Sequence, residues 1–176
     1  NDFTVAIELY KRALEIDDNQ FIIHHNLALA YLGIGEPELA EKHSLKALEI
    51  NPKHALSHKM LSTSKKYNEG DNHFKVMLKE LEDKNVNINS KIILNFALSK
   101  AYEDIKNYER AYKHMHLGNK LKRSTVKFDI KNEIELFNNL KAFFKEFKFD
   151  LHKPKIISND KIIFICGMPR SGTTLT

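Results

Sequence analysis

Apolar and small residues in the first two-thirds of the chain recur with a long period. Ala6, Ala13 and Asp18 return as Ala40, Ala47 and Pro52, each 34 residues later. Leu27-Ala28, Ala30-Tyr31, Gly35 and Pro37 fall between them. A shift of 71 carries Ala30-Tyr31 onto Ala101-Tyr102, Ala40 onto Ala111 and Ala47 onto Gly118. Because 71 exceeds twice 34 by three, a degenerate unit with a three-residue insertion fills 55–91, with YNEGDNHF as its turn. A period near 34 predicts pairs of antiparallel helices, which cannot bury an apolar face singly and therefore stack. The array reads as half a unit, a clean unit at 21–54, a poor one at 55–91 and a fair one at 92–123. Ala28, Ala40, Ala47, Ala101 and Ala111 let helix backbones approach, while Tyr10, Tyr31, Tyr102 and Tyr108 fill the larger gaps. Pro52 marks a helix end, since it lacks an N–H and clashes with the preceding turn. In the poor unit Phe74, Leu78 and Leu81 replace the small or aromatic residues expected.

Two more patterns follow. Ile130, Ile134, Phe137, Leu140, Phe144 and Phe147 are spaced as one helical face behind an N-capping Asp129. With Phe143 and Phe149 this stripe is large and aromatic, suited to packing against a neighbouring domain. After Pro154 and a Ser-Asn-Asp cluster, KIIFIC at 161–166 is a short β-branched run, as in a strand buried on both faces of a parallel sheet. The resulting organisation is a repeat array at 1–123, a connecting helix and linker at 124–160, and the start of an α/β domain at 161–176.

Composition narrows the classes. The 176 residues are 42% hydrophobic and 29% charged, with no apolar run near the roughly 20 residues of a membrane span. One cysteine excludes a disulfide framework or a multi-cysteine zinc site. Six glycines and four prolines are few for a fold built on tight turns and favour helices. The chain opens on Asn1 and stops inside a motif, so it reads as a piece of a longer protein. The net charge of +5 is uneven: residues 1–112 hold 15 basic and 17 acidic side chains, residues 113–176 hold 13 and 6. A basic C-terminal third suits an anionic ligand, although solvated lysines give the same count.

The chemistry lies in Gly167-Met168-Pro169-Arg170-Ser171-Gly172-Thr173-Thr174-Leu175. A strand, then Gly-x-x-x-x-Gly, then hydroxyl residues opening a helix is the arrangement of a loop that cradles phosphate on backbone N–H groups. A nucleotide triphosphatase needs Lys after the second Gly. Thr173 stands there instead, and the loop's cation is Arg170. ATP or GTP hydrolysis by a P-loop kinase-type site is therefore disfavoured.

The repeat pattern over 1–123 resembles the tetratricopeptide (TPR) family, whose α-solenoids bind proteins and peptides on a concave face. Pro-Arg-Ser-Gly-Thr-Thr-Leu after an apolar strand resembles the 5′-phosphosulfate loop of sulfotransferases that use 3′-phosphoadenosine 5′-phosphosulfate (PAPS). GMPRSGTTL behind repeats, an aromatic helix and NKLKRSTVKFD is similar to bacterial TPR–sulfotransferases, and the loop is similar to that of protein-tyrosine sulfotransferases. The resemblance implies a mainly α chain: a TPR α-solenoid followed by the first strand and P-loop-like turn of a truncated α/β sulfotransferase domain. It implies that backbone N–H groups of Ser171, Gly172, Thr173 and Thr174, with the three hydroxyls, hold the 5′-phosphate of PAPS. Pro169 would fix the loop, and Arg170 would be the catalytic cation at the transferring sulfuryl group. The general base, the 3′-phosphate site and the acceptor pocket would lie beyond Thr176, so the fragment alone should be inactive. The acceptor is a hydroxyl, of protein tyrosine, a glycan or a small alcohol. A non-catalytic TPR scaffold is the alternative.

Nine histidines, among them His24-His25, His54/His58 and His114/His116, lack a third ligand with a carboxylate at metal spacing, and most read as polar faces of repeat helices. No metal is expected. Cys166 reads as a small core residue. No aromatic–basic RNA motif or recognition helix appears, so no nucleic-acid partner is expected. With no visible secretory signal and one cysteine, the expected compartment is the cytoplasm.

Overall fold

The computed structural model describes residues 2–146. Eight helices occupy them, with no strand among the described residues: α1 (Asp2–Ile16), α2 (Phe21–Gly33), α3 (Pro37–Ile50), α4 (Ala55–Ser64), α5 (His73–Glu82), α6 (Ile88–Asp104), α7 (Tyr108–Thr125) and α8 (Ile130–Glu146). The strand and loop expected at 161–176 lie outside the described residues. The chain divides into two compact units, Asn1–Lys127 and Phe128–Thr176.

In the first unit, α2 pairs with α3 and α6 with α7, each a helix A followed by a helix B, while α1 is a lone helix B. Helix A packs on the next helix A through α2, α4 and α6. The alanines expected at close approaches are there: Ala28, Ala40, Ala47 and Ala101 are fully buried and Ala111 nearly so. Gly118 occupies the place of Ala47 two units later, where a Cβ would lie 3.0 Å from the Phe96 ring. The two complete hairpins turn alike. Glu36 N–H donates to Tyr31 O and Asn107 N–H to Tyr102 O, both at 2.9 Å. The residue between is left-handed, Gly35 at φ 83° in one and Lys106 at φ 60° in the other. Local sequence starts the helices: Pro37 stands in the first turn of α3, Asn87 caps Ser90 N–H at 2.9 Å, and Asn107 caps Arg110 N–H at 3.2 Å.

The degenerate unit differs. Its helices are 10 residues each, and a long turn from Lys65 to Asn72 separates them. Helix α5 packs mainly on α6 rather than forming a tight hairpin with α4. Phe74 is nonetheless core, between the rings of Tyr67 and Tyr102 at 5.1 and 4.9 Å, with Leu78 and Leu81 half-buried against the same cluster. Tyr108 corrects an expectation. It does not fill a gap but is 64% exposed, because it opens α7 and the inward position falls to Ala111 one turn later.

In the second unit, Asp129 Oδ1 accepts the Lys131 N–H at 2.9 Å and starts α8. Ile130, Ile134, Phe137, Leu140 and Phe144 are 43–59% exposed. Phe147 and Phe149 lie outside the described residues.

Candidate functional site

Pro169, Arg170, Ser171, Gly172, Thr173 and Thr174 all lie outside the described residues. What the array itself carries is a polar assembly that the sequence reading placed on solvated faces. His24, His25, His58 and His73 are instead buried, because each finds a hydrogen-bond partner across a helix boundary.

The assembly repeats with the fold. In the first station, His24 Nε2 bonds the Asp18 carbonyl at 3.1 Å, and His24 Nδ1 meets His43 Nδ1 at 3.0 Å. Tyr31 stacks on His43 at 5.5 Å, with Lys11 Nζ 5.8 Å from the Tyr31 centroid. In the second, His58 Nε2 bonds the Pro52 carbonyl at 2.8 Å and His58 Nδ1 meets His73 Nε2 at 2.7 Å. Tyr67 stacks on His73 at 5.9 Å and its hydroxyl reaches His73 Nδ1 at 2.5 Å. Lys65 and Lys100 approach the Tyr67 ring at 5.0 and 5.6 Å. In the third, Asn95 takes the helix-A place, accepting from His114 Nδ1 at 2.9 Å and donating to Lys91 O at 2.8 Å. Tyr102 stacks on His114 at 5.5 Å under the Arg110 guanidinium.

A carbonyl can only accept, so Pro52 and Asp18 fix the tautomers of the residues that meet them. His58 carries its proton on Nε2 and accepts on Nδ1; His73 then donates from Nε2 and accepts on Nδ1, and Tyr67 donates. By the same logic His24 accepts from His43 Nδ1–H. Burial is the main force on these rings. It lowers the His58, His25, His54 and His114 pKa values, brings His43 to about 4 and, aided by His58, His73 to about 3. It also pushes the Tyr67 phenol up. Burial pushes the Asp71 carboxyl up too, but Lys65 and the His73 N–H overcome this and leave it below its usual value.

A cleft of about 440 Å³ opens beside the second station, between α3, α4 and α5, with Leu45, Leu48, Leu61 and Val76 as apolar walls and Lys65, Asp71 and His73 as polar ones. Elsewhere, the A helices expose Ile22, Leu29, Leu56 and Ile88. Among the described residues no group of three metal-ligating side chains converges, and no helix is long and apolar enough to cross a membrane.

Residues 1–35 match the family described as TPR repeat, and residues 22–54 match the Tetratricopeptide repeat family. An uncharacterized protein of Aquifex aeolicus (strain VF5) is 25% identical over 171 residues, which cover 97% of this chain and 22% of that protein. The human protein O-mannosyl-transferase TMTC3 is 43% identical over 53 residues, covering 30% of this chain and 6% of that protein. The chain thus spans less than a quarter of either relative's length. Its N-terminal part carries tetratricopeptide repeats within an all-helical described structure, the architecture of a protein-interaction module.

Proposed function

We propose that the chain is part of a PAPS-dependent sulfotransferase in which the TPR array recruits a protein or peptide acceptor. One observation carries the reading: the string GMPRSGTTL follows an apolar run and stands downstream of repeats and an aromatic-faced helix. In this reading the loop N–H groups and hydroxyls of 171–174 hold the 5′-phosphate. Arg170 offsets the charge that builds on the bridging oxygen as the sulfuryl group passes to the acceptor hydroxyl. The array contributes the exposed side chains of its A helices, and the human relative is likewise named as a transferase. The alternative is a scaffold without catalysis, for which the matched tetratricopeptide repeats over residues 1–54 suffice.

The test is sulfate transfer from labelled PAPS by the intact protein, with Arg170→Ala beside it. The expected result is transfer that falls on the order of 10²–10³-fold in the variant. An intact protein that neither binds nor turns over PAPS leaves the scaffold reading standing.

A further inference from the structure

The second station differs from its neighbours in a way that their chemistry makes visible. Its four groups form one directional line: Tyr67 O–H to His73 Nδ1, His73 Nε2–H to His58 Nδ1, and His58 Nε2–H to Pro52 O, at 2.5, 2.7 and 2.8 Å. Every ring nitrogen is used, so the neutral line has no lone pair left for another proton. A proton added on His73 Nδ1 makes that ring donate from both nitrogens, to His58 and to the Tyr67 oxygen, and turns the Tyr67 O–H off its acceptor; a proton on His58 Nδ1 reverses the line and displaces the same O–H. The line must also hold a cation where His58 is 1% and His73 9% exposed.

The first and third stations escape this conflict. His43 and His114 each donate from Nδ1 to an acceptor, and neither bond uses Nε2. Protonation at Nε2 leaves both pairings intact. Asn95 in particular accepts from His114 whatever its charge.

The surroundings compensate an imidazolium at the second station only in part: Asp71 favours it, while His58 and Lys65 oppose it. Asp71 in the turn and Glu41 on α3 face it, but both are paired with Lys65. Asp104 on α6 is paired with Lys100, and Glu49 on α3 with Lys46. His54, ahead of α4, adds a further titratable ring. Burial, with this crowding, keeps His73 neutral to about pH 3 while the fold holds.

The line also has a structural task. Among the described residues, His58 to His73 is the side-chain hydrogen bond that joins α4 to α5, in the unit whose helices do not otherwise form a tight hairpin. We propose that the Tyr67–His73–His58 line is a proton-sensitive latch that holds α5 against α4 near neutral pH. Acid releases it, freeing α5 and widening the cleft between α3, α4 and α5 while the α6–α7 hairpin stays closed.

Hydrogen exchange of the 176-residue chain, with imidazole nitrogen shifts recorded in parallel, tests this. At pH 7 both rings should show the Nε2–H tautomer. Between pH 7 and 4.5 the protection factors of α5 amides should fall roughly a hundred-fold relative to those of α7. That ratio is the proton uptake gained at pH 4.5 when one histidine is released to titrate near 6.5. Tyr67→Phe frees His73 Nδ1 to take a proton while its Nε2–H still donates to His58, the freedom His114 has at the third station, and the fall should shrink. Equal loss of protection in α5 and α7, or an undiminished fall in a folded Tyr67→Phe protein, overturns the proposal. The nitrogen shifts of the parent chain give a test that needs no variant: two rings protonated by pH 5 with α5 still protected overturn it as well.

Discussion

Ser44 and Ser99 offer one chemical change with opposite expected signs. Both are buried in repeat helices, at 0% and 4% exposure. Ser99 Oγ donates to the Ala111 carbonyl at 2.9 Å and so ties α6 to α7. Ser44 Oγ is buried with no hydrogen-bond partner. An unpaired buried hydroxyl costs about 1–3 kcal/mol, and alanine adds roughly 0.5 kcal/mol of helix propensity. Losing the oxygen's packing takes back on the order of 0.5 kcal/mol. Ser44→Ala should therefore stabilise the array by about 1–3 kcal/mol. Ser99→Ala gains the same propensity but loses a bond worth about 1 kcal/mol along with the packing, and should destabilise by about 1 kcal/mol. The difference, about 2 kcal/mol or more, corresponds to roughly 8 °C in midpoint temperature for a domain of this size. Urea titration followed by circular dichroism at 222 nm reads it directly. A lower urea midpoint for Ser44→Ala at unchanged slope would refute the reasoning, since the hydroxyl would then be contributing a bond.

Two further predictions concern turns and pH. Gly35→Ala places a Cβ at φ 83° with no atom within 4 Å, so its cost of about 1 kcal/mol is purely conformational. Lys106→Gly, at the equivalent turn, should raise stability by a few tenths to about 1 kcal/mol; urea midpoints moving in the same direction for the two would contradict this. For pH, a histidine whose folded pKa lies below its unfolded value leaves the unfolded chain binding more protons. Stability therefore falls as pH drops from about 6.5 towards the folded values, about 4 for His43 and about 3 for His73. His73 alone costs about 2 kcal/mol by pH 5. Denaturation midpoints that are flat between pH 7 and 5 would count against buried neutral rings.

The shifts of 34 and 71 located the alanines that line the helix contacts, because a small residue at a close approach has few substitutes. The same shifts carry His24 onto His58 and Asn95, His43 onto His114, and Tyr31 onto Tyr102. They also carry Asp18 onto Pro52, whose carbonyls receive the histidines. The stations were thus present in the repeat, but a histidine spaced as a polar face shows no sign of burial until its partner on the next helix is in place. Tyr67 was less legible, since the long turn moves it two residues off the register of Tyr31. The phosphate-loop chemistry was legible only as a motif, because a cradle of backbone N–H groups is written in glycines and hydroxyls rather than in apolar periodicity.

The unequal hairpins have a mechanical meaning. Stretched along its chain, an array yields where lateral ties between successive helices are fewest, and here that is the stretch from α4 to α5. Tension would spill this segment first and release on the order of 100 Å of contour, at about 3.5 Å per residue, before either flanking hairpin gives way. An optical-trap recording whose first rip matched the α6–α7 hairpin instead would show that the weak coil lies elsewhere. Read this way, the degenerate unit is the extensible link of the repeat rather than an imperfect copy of its neighbours.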